Sequence, residues 1–330
     1  MAAAARARVT RVAEHQHMLD HNYDPMTVAQ ASWLGDLTDS HARMIALGRE
    51  ALAQALEPLL VRAGSSGLRL AIALGLPSPR PGLSTQQLET VAEAITEGAV
   101  PTGAGSATVE CHRADHAAGL CALHSAMQQP DRDTADAWVV GGVDSFLGAE
   151  TLSALDAQGQ LFCRANARGF VPGEAAAFCL LLTPRGCKRV GLDPLAIVES
   201  VSTAVEPVCM GTDDVSVGIG LRRALETALA QLPEPDGKVD DILCDLNGET
   251  YRADELAFAL VRTSNRFARP GRFRTPAESW GDVGAASAAL HMILAASAWD
   301  RGYSPGPRIL VTSSAGAGPA RAAAILHAPS

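Results

Sequence analysis

The chain reads as an α/β protein built from one supersecondary unit used twice. Three observations predict this. Residues 115–124 read DHAAGLCALH and residues 282–291 read DVGAASAALH, so Asp, Ala, Ala, Leu and His recur at the same offsets. Both segments are small and apolar enough to be buried helices packed closely on other backbones. Each is followed by a β-like run ending in small residues, 137–142 and 309–314. Elsewhere, candidate strands alternate with candidate helices, which argues for sheets covered by helices.

Each element can be justified in order. Residues 7–13 suggest a short strand. Asp39 is placed to cap a helix running to about residue 63, with Met44, Ile45, Leu47, Ala51, Leu52 and Leu56 recurring on one face. Glycines at 64 and 67 end it. Residues 68–76 form an apolar run expected as a buried strand, and 77–82 a loop. Leu88, Val91, Ala92 and Ile95 set an amphipathic helix over 85–98. A short strand at 107–111 precedes the first repeat helix. After the strand at 137–142, a surface region is expected to about Asn166. Strands follow at 175–182 and 194–205, a helix at 216–231, a polar linker at 233–237, and a strand at 240–246 with acids at its start. A helix at 249–262 runs into a basic loop at 263–275. The halves divide at 1–187 and 188–330 and are expected to pack as one body.

Composition narrows the function. Of 330 residues, 47% are hydrophobic but only 4% aromatic, so the core is built from Ala, Val and Leu. The net charge of −9 argues against nucleic acid and anionic membrane surfaces, which need a basic footprint. No apolar run is long enough to span a bilayer, and the Ala/Arg-rich start lacks the apolar core of a secretory signal. Seven scattered cysteines without a CxxC pair read as reduced, mostly buried thiols of a cytoplasmic protein. No metal or cofactor site is implied.

Four segments in order resemble the β-ketoacyl synthases of the thiolase-like superfamily: Val140-Gly141-Gly142-Val143, the Gly-Phe-Val-x-Gly-Glu run of 169–174, Gly281-Asp282-Val283-Gly284-Ala285-Ala286, and Ser314-Ala315-Gly316-Ala317-Gly318. The resemblance covers roughly residues 105–330. It implies a five-layered αβαβα fold of two pseudo-repeated halves, usually a homodimer. It also implies a catalytic Cys at a helix start, where the thiol pKa is lowered, and two His residues that stabilise an oxyanion. Aligned without a gap, the Cys position holds His116; anchored on the preceding strand, it holds Arg113. The first His position holds Asn247 and the second Asp282. The expected Lys falls at Ala277 and the gatekeeping Phe at Ala317.

Every catalytic position is therefore substituted. Asn247 can donate a hydrogen bond, Asp282 would repel an oxyanion, and His116 at a helix start is expected to be mostly neutral. Claisen condensation by the family mechanism is not expected. The residues instead point to a catalytically degenerate protein acting as scaffold, adaptor or partner subunit, pairing with itself or with a synthase. The resemblance extends to accessory proteins of secreted bacterial effectors, including type VI systems. The alternative is an acyltransferase, condensing enzyme or thioesterase using His116, Asn247, Asp282 or a displaced nucleophile, Cys111. His124 and His291 read as satisfied core histidines, Asp115 as a helix cap and Glu174 as structural. Arg266, Arg269, Arg272 and Arg274 form the basic cluster of an acidic protein. They are a candidate docking loop for an effector, a synthase or an acyl carrier protein.

Overall fold

A computed structural model describes residues 6, 7, 9–35, 37–60, 67–98, 106–128, 135–212, 214–233 and 237–329. The expected helix end at 61–63, the break at 64–66 and the linker core at 234–236 lie outside these residues.

Two four-stranded sheets organise the molecule. The first contains β3 (Arg69–Leu76), β4 (Ser106–Arg113), β5 (Ala137–Ser145) and β6 (Glu174–Leu182), in the order β4-β3-β5-β6. It is parallel except for the β5/β6 pair. The second contains β7 (Ile197–Val205), β8 (Asp241–Cys244), β9 (Arg308–Ser314) and β10 (Ala320–His327), in the order β7-β10-β9-β8. Only β8/β9 is parallel there. β10 is Ala-rich and has no sequence-level strand signature, but its neighbours on both sides hold it extended.

Helices make the other three layers. α1 (Ser40–Leu60) and α2 (Thr85–Thr96) cover the outer face of the first sheet. There Met44, Leu52, Leu88 and Val91 meet Ile72 and Leu74. α2 begins at a reciprocal cap, with Gln87 N donating to Ser84 Oγ (3.2 Å) and Ser84 N donating to Gln87 Oε1 (2.7 Å). α3 (Ala118–Gln128) lies between the sheets. The region expected as surface contains the end of buried β5 and a helix, α4 (Ala149–Ala157), anchored by fully buried Leu152. A short helix, α5 (Pro184–Val190), joins the halves. α6 (Ile219–Leu229) and α7 (Thr250–Thr263) cover the second sheet, packing Leu221, Leu225, Leu256 and Leu260 on Ile242, Leu310 and Ile325. A single turn, α8 (Ala277–Trp280), precedes α9 (Ser287–Asp300). α9 is apolar all round because it shares the central layer with α3: Leu120, Leu123, Ala288, Ala289 and Met292 join residues of both sheets in one cluster.

The expected repeat is present but slipped. α3 and α9 each follow a 3-10 turn, at Asp115–Ala117 and Gly284–Ala286. Asp115 and Gly284 each open their turn at φ +48°, and Gly119 lies against Ala288 where the helices cross. Asp115 therefore corresponds to Gly284, not Asp282. The sequence identities are two residues out of step with the structural repeat. Small-residue helices offer many matching registers, and the backbone selects the one that lets them cross closely.

The N-terminal segment corrects another expectation. The first strand is β1 (Val12–Leu19), not 7–13, paired antiparallel with β2 (Pro25–Ala29). Arg11 N donates to Ser279 O and Ala29 N to Pro172 O, both at 2.9 Å, fastening this hairpin beside the loop that carries Asp282.

Candidate functional site

Three loops bring the substituted positions together. β4 ends in the 3-10 turn that carries His116. Asn247 follows β8 and precedes α7. Asp282 precedes the turn into α9. His116 Nε2 lies 2.6 Å from Asp282 Oδ1, and Asn247 Nδ2 donates to Asp282 Oδ2 at 2.6 Å. Gly284 N donates to Asp282 Oδ1 at 2.9 Å. His116 and Asp282 are 5% and 4% exposed, so this meeting point is shut off from solvent.

Three residues not singled out in the sequence complete the cluster: Asp245, Glu249 and Arg252. Arg252 Nη2 lies 3.1 Å from His116 Nδ1, Nη1 donates to Asp245 Oδ2 (2.9 Å) and to Ser314 O (2.8 Å), and Nε donates to Glu249 Oε2 (3.1 Å). Asn247 Nδ2 also donates to Glu249 Oε2 at 2.8 Å. A signal was available. Arg252 sits in the first turn of a helix, where the dipole disfavours a cation unless acids surround it, and Asp245 and Glu249 flank that turn.

The charges follow from these contacts. Burial raises the Asp282 pKa, but the charge and hydrogen bond of His116, then Arg252 and Gly284 N–H, outweigh it and hold the carboxyl well below the usual range. Burial and Arg252 lower the His116 pKa, and Asp282 overcomes both and raises it above the ordinary value. The lowering expected at a helix start is thus reversed by a carboxylate from the other half. A guanidinium only donates, so while Arg252 donates to Nδ1 the ring's proton sits on Nε2, and the second proton, which the raised pKa favours, needs Nδ1. Protonation requires the Arg252 contact to be given up.

The remaining candidates lie elsewhere. Cys111 is exposed on the edge strand β4, and its thiol is raised by partial burial against a smaller pull from Arg113, the reverse of an activated nucleophile. Asp115 is not a helix cap: its Oδ1 accepts Ser78 N at 2.7 Å and helps hold its left-handed backbone. Glu174 is structural, as expected, receiving Arg43 Nε (2.7 Å), Ser145 Oγ (2.9 Å) and Ala31 N (2.8 Å). His291 is buried, but its Nδ1 has no partner among the described residues, and burial lowers its pKa to about 4. His124 is only half-buried. The arginine cluster divides. Arg266 turns inward onto the carbonyls of Leu229, Leu232 and Gly237, and Arg274 pairs with buried Asp241 at 2.7 Å. Arg269 and Arg272 remain exposed. A cleft of about 400 Å3 opens among the starts of α1, α2 and α4, and none of these candidates lines it.

Comparison with known proteins places this geometry. Residues 106–185, less than half of the chain, match the family model of the β-ketoacyl synthase N-terminal domain. A structure of a type II PKS acyl-carrier protein in complex with its ketosynthase bound to the hexaketide aligns over 98% of this chain and 93% of its own, with a TM-score of 0.79 and 15% identity. The fold is that of a ketosynthase. The ishigamide ketosynthase/chain length factor aligns over 100% of this chain and 94% of its own, with a TM-score of 0.77 and 16% identity. The ketosynthase from module 6 of the bacillaene synthase from Bacillus subtilis 168 aligns over 88% of this chain and 59% of its own, with a TM-score of 0.67 and 14% identity. No curated protein matches by sequence. The thiolase-like α/β architecture inferred from four short motifs is therefore the observed one. Among the described residues, no helix is long and apolar enough to cross a membrane.

Proposed function

We propose that this ketosynthase-like protein is a noncatalytic partner subunit, acting through binding rather than acyl transfer. One observation carries the reading: at the three positions where the resemblance puts catalytic groups, the hydrogen-bonding capacity is turned inward. Both amide protons of Asn247 go to carboxylates. Asp282 receives His116, Asn247 and Gly284. Arg252 occupies the other nitrogen of His116. No donor of this trio is left for an oxyanion, and none of the three offers the thiol that would hold an acyl chain in the family mechanism. The 2.6 Å His116–Asp282 pair resembles an acid–base dyad, which favours the enzymatic alternative, but its base nitrogen already faces a cation.

The neighbouring structures include an acyl-carrier protein with its ketosynthase and a ketosynthase/chain length factor, and a subunit role fits that company. β4 is an end strand of the first sheet, with Val109 44% exposed and no further strand paired to it among the described residues, so its backbone can pair with another chain. The test is intact-mass analysis after incubation with acyl-coenzyme A and with an acylated carrier protein. The expected result is an unmodified mass. An acyl-sized increase that disappears in His116→Ala or Cys111→Ala overturns the proposal.

A further inference from the structure

We infer that the cleft among the starts of α1, α2 and α4 binds a small zwitterion, a free amino acid, with its carboxylate toward the helix starts and its ammonium toward two acids. This goes beyond the binding role proposed above and does not depend on it. The cleft holds about 400 Å3, within the range of small-ligand sites, and Asp39, Ser40, His41, Arg80, Gly148 and Glu150 line it. Its walls are tied to one another. Arg80 N donates to Leu83 O at 3.0 Å and Leu83 N to Arg80 O at 2.8 Å, closing a tight turn. Thr151 Oγ1 donates to Pro81 O at 2.7 Å and clasps that turn to α4. Gln87 Nε2 of α2 lies 3.4 Å from His41 Nδ1 of α1.

Two kinds of unfilled group meet in this cleft. The first is donors. α4 opens at Gly148 with no side-chain cap, so its first amides lack an acceptor from that residue. α1 opens at Ser40, and helix starts favour a negative charge. Ser40 is 2% exposed, and its Oγ has no hydrogen-bond partner among the described residues. That oxygen faces Gly148, where a Cβ would run into it. The Arg80 guanidinium is held through Nη2 by Asp144 Oδ1 (2.6 Å) and Ser145 O (2.7 Å), while its buried Nε has no partner among the described residues. The second kind is acids. Asp39 and Glu150 are exposed at the same cleft, each without a cation paired to it among the described residues. Phosphate would meet the donors but be repelled by both carboxylates, and a simple amine would meet the acids but leave the donors unfilled. One carbon bearing both a carboxylate and an ammonium satisfies each set.

The probe is the set of protein amino acids, each titrated calorimetrically into the full-length protein, with inorganic phosphate and methylamine as comparisons. Saturable binding of at least one amino acid is expected. The amide of that amino acid, which lacks the carboxylate, and its N-acetyl form, which lacks the ammonium, should each bind roughly tenfold more weakly. Ser40→Ala and, separately, Asp39→Asn/Glu150→Gln should weaken binding by about tenfold with the circular dichroism spectrum unchanged. Ser40→Ala should also leave the melting temperature without ligand no lower, since the hydroxyl it removes is buried and unpartnered. The site is overturned if no amino acid binds, or if phosphate or methylamine binds more tightly than every amino acid. It is equally overturned if either blocked form binds as tightly as the amino acid itself, or if binding is unchanged in both variants.

Discussion

His116 and Asp282 show how one substitution constrains another. Asp282 is ionised because His116, Arg252 and a backbone N–H surround it, so removing either ring or carboxylate leaves a buried partner unsatisfied. Asp282→Ala should cost roughly 3–5 kcal/mol, the usual penalty for breaking a buried pair, read as a fall in urea midpoint. Because the folded pKa of Asp282 is depressed, its stabilisation is present above the ordinary carboxylate range and is lost as pH falls below it. His291 acts in a higher window. The unfolded histidine takes up a proton near pH 6.5, while the folded ring, facing Asp245, Arg274 and His116, resists protonation to about 4. Unfolding therefore absorbs a proton between these values, and stability falls with pH through the same window by about 3 kcal/mol. His291→Leu should flatten this part of the stability profile in denaturation series between pH 7 and pH 4.

At the scale of elements, close approaches between backbones decide what a position tolerates. A Cβ on Gly142 would run into Ala285 O and press on Gly75 O, where β5 meets the turn into α9. Gly142→Ala should destabilise by about 1–3 kcal/mol, measured by equilibrium denaturation. The strand–helix alternation, the amphipathic helices and the four motifs were legible because apolar periodicity and glycine spacing are local signals. Asn247, Asp282 and His116 could be located through motif order alone. Arg252 was only half legible, since beside the acids of its own loop its role depends on a histidine distant in sequence. β10 was hidden because an Ala-rich run becomes a strand only when two neighbours supply the ladder. The repeat was visible, but its register was not, as closely crossing helices select small residues at many positions.

For the whole molecule, the ketosynthase-like fold depends on packing between its layers, with α3 and α9 sharing one cluster with both sheets. His116→Cys alone should leave the protein unreactive toward acyl donors, since Asn247 and Asp282 still offer no free oxyanion donor; mass analysis of that variant checks this. If β4 is where another copy or another subunit attaches, Val109→Lys should shift the species seen in sedimentation velocity toward monomer while the melting temperature holds.

The central cluster also sets an order on biosynthesis. Residues 69–182 complete the first sheet, but the inner faces of that sheet and of α3 are covered by α9, β9 and β10, which lie between residues 287 and 327. As the chain leaves the ribosome, the first half emerges with an uncovered apolar surface, and it remains so until residues 287–327 have followed. Truncation before β9 and β10 should therefore yield aggregates rather than a shorter folded protein.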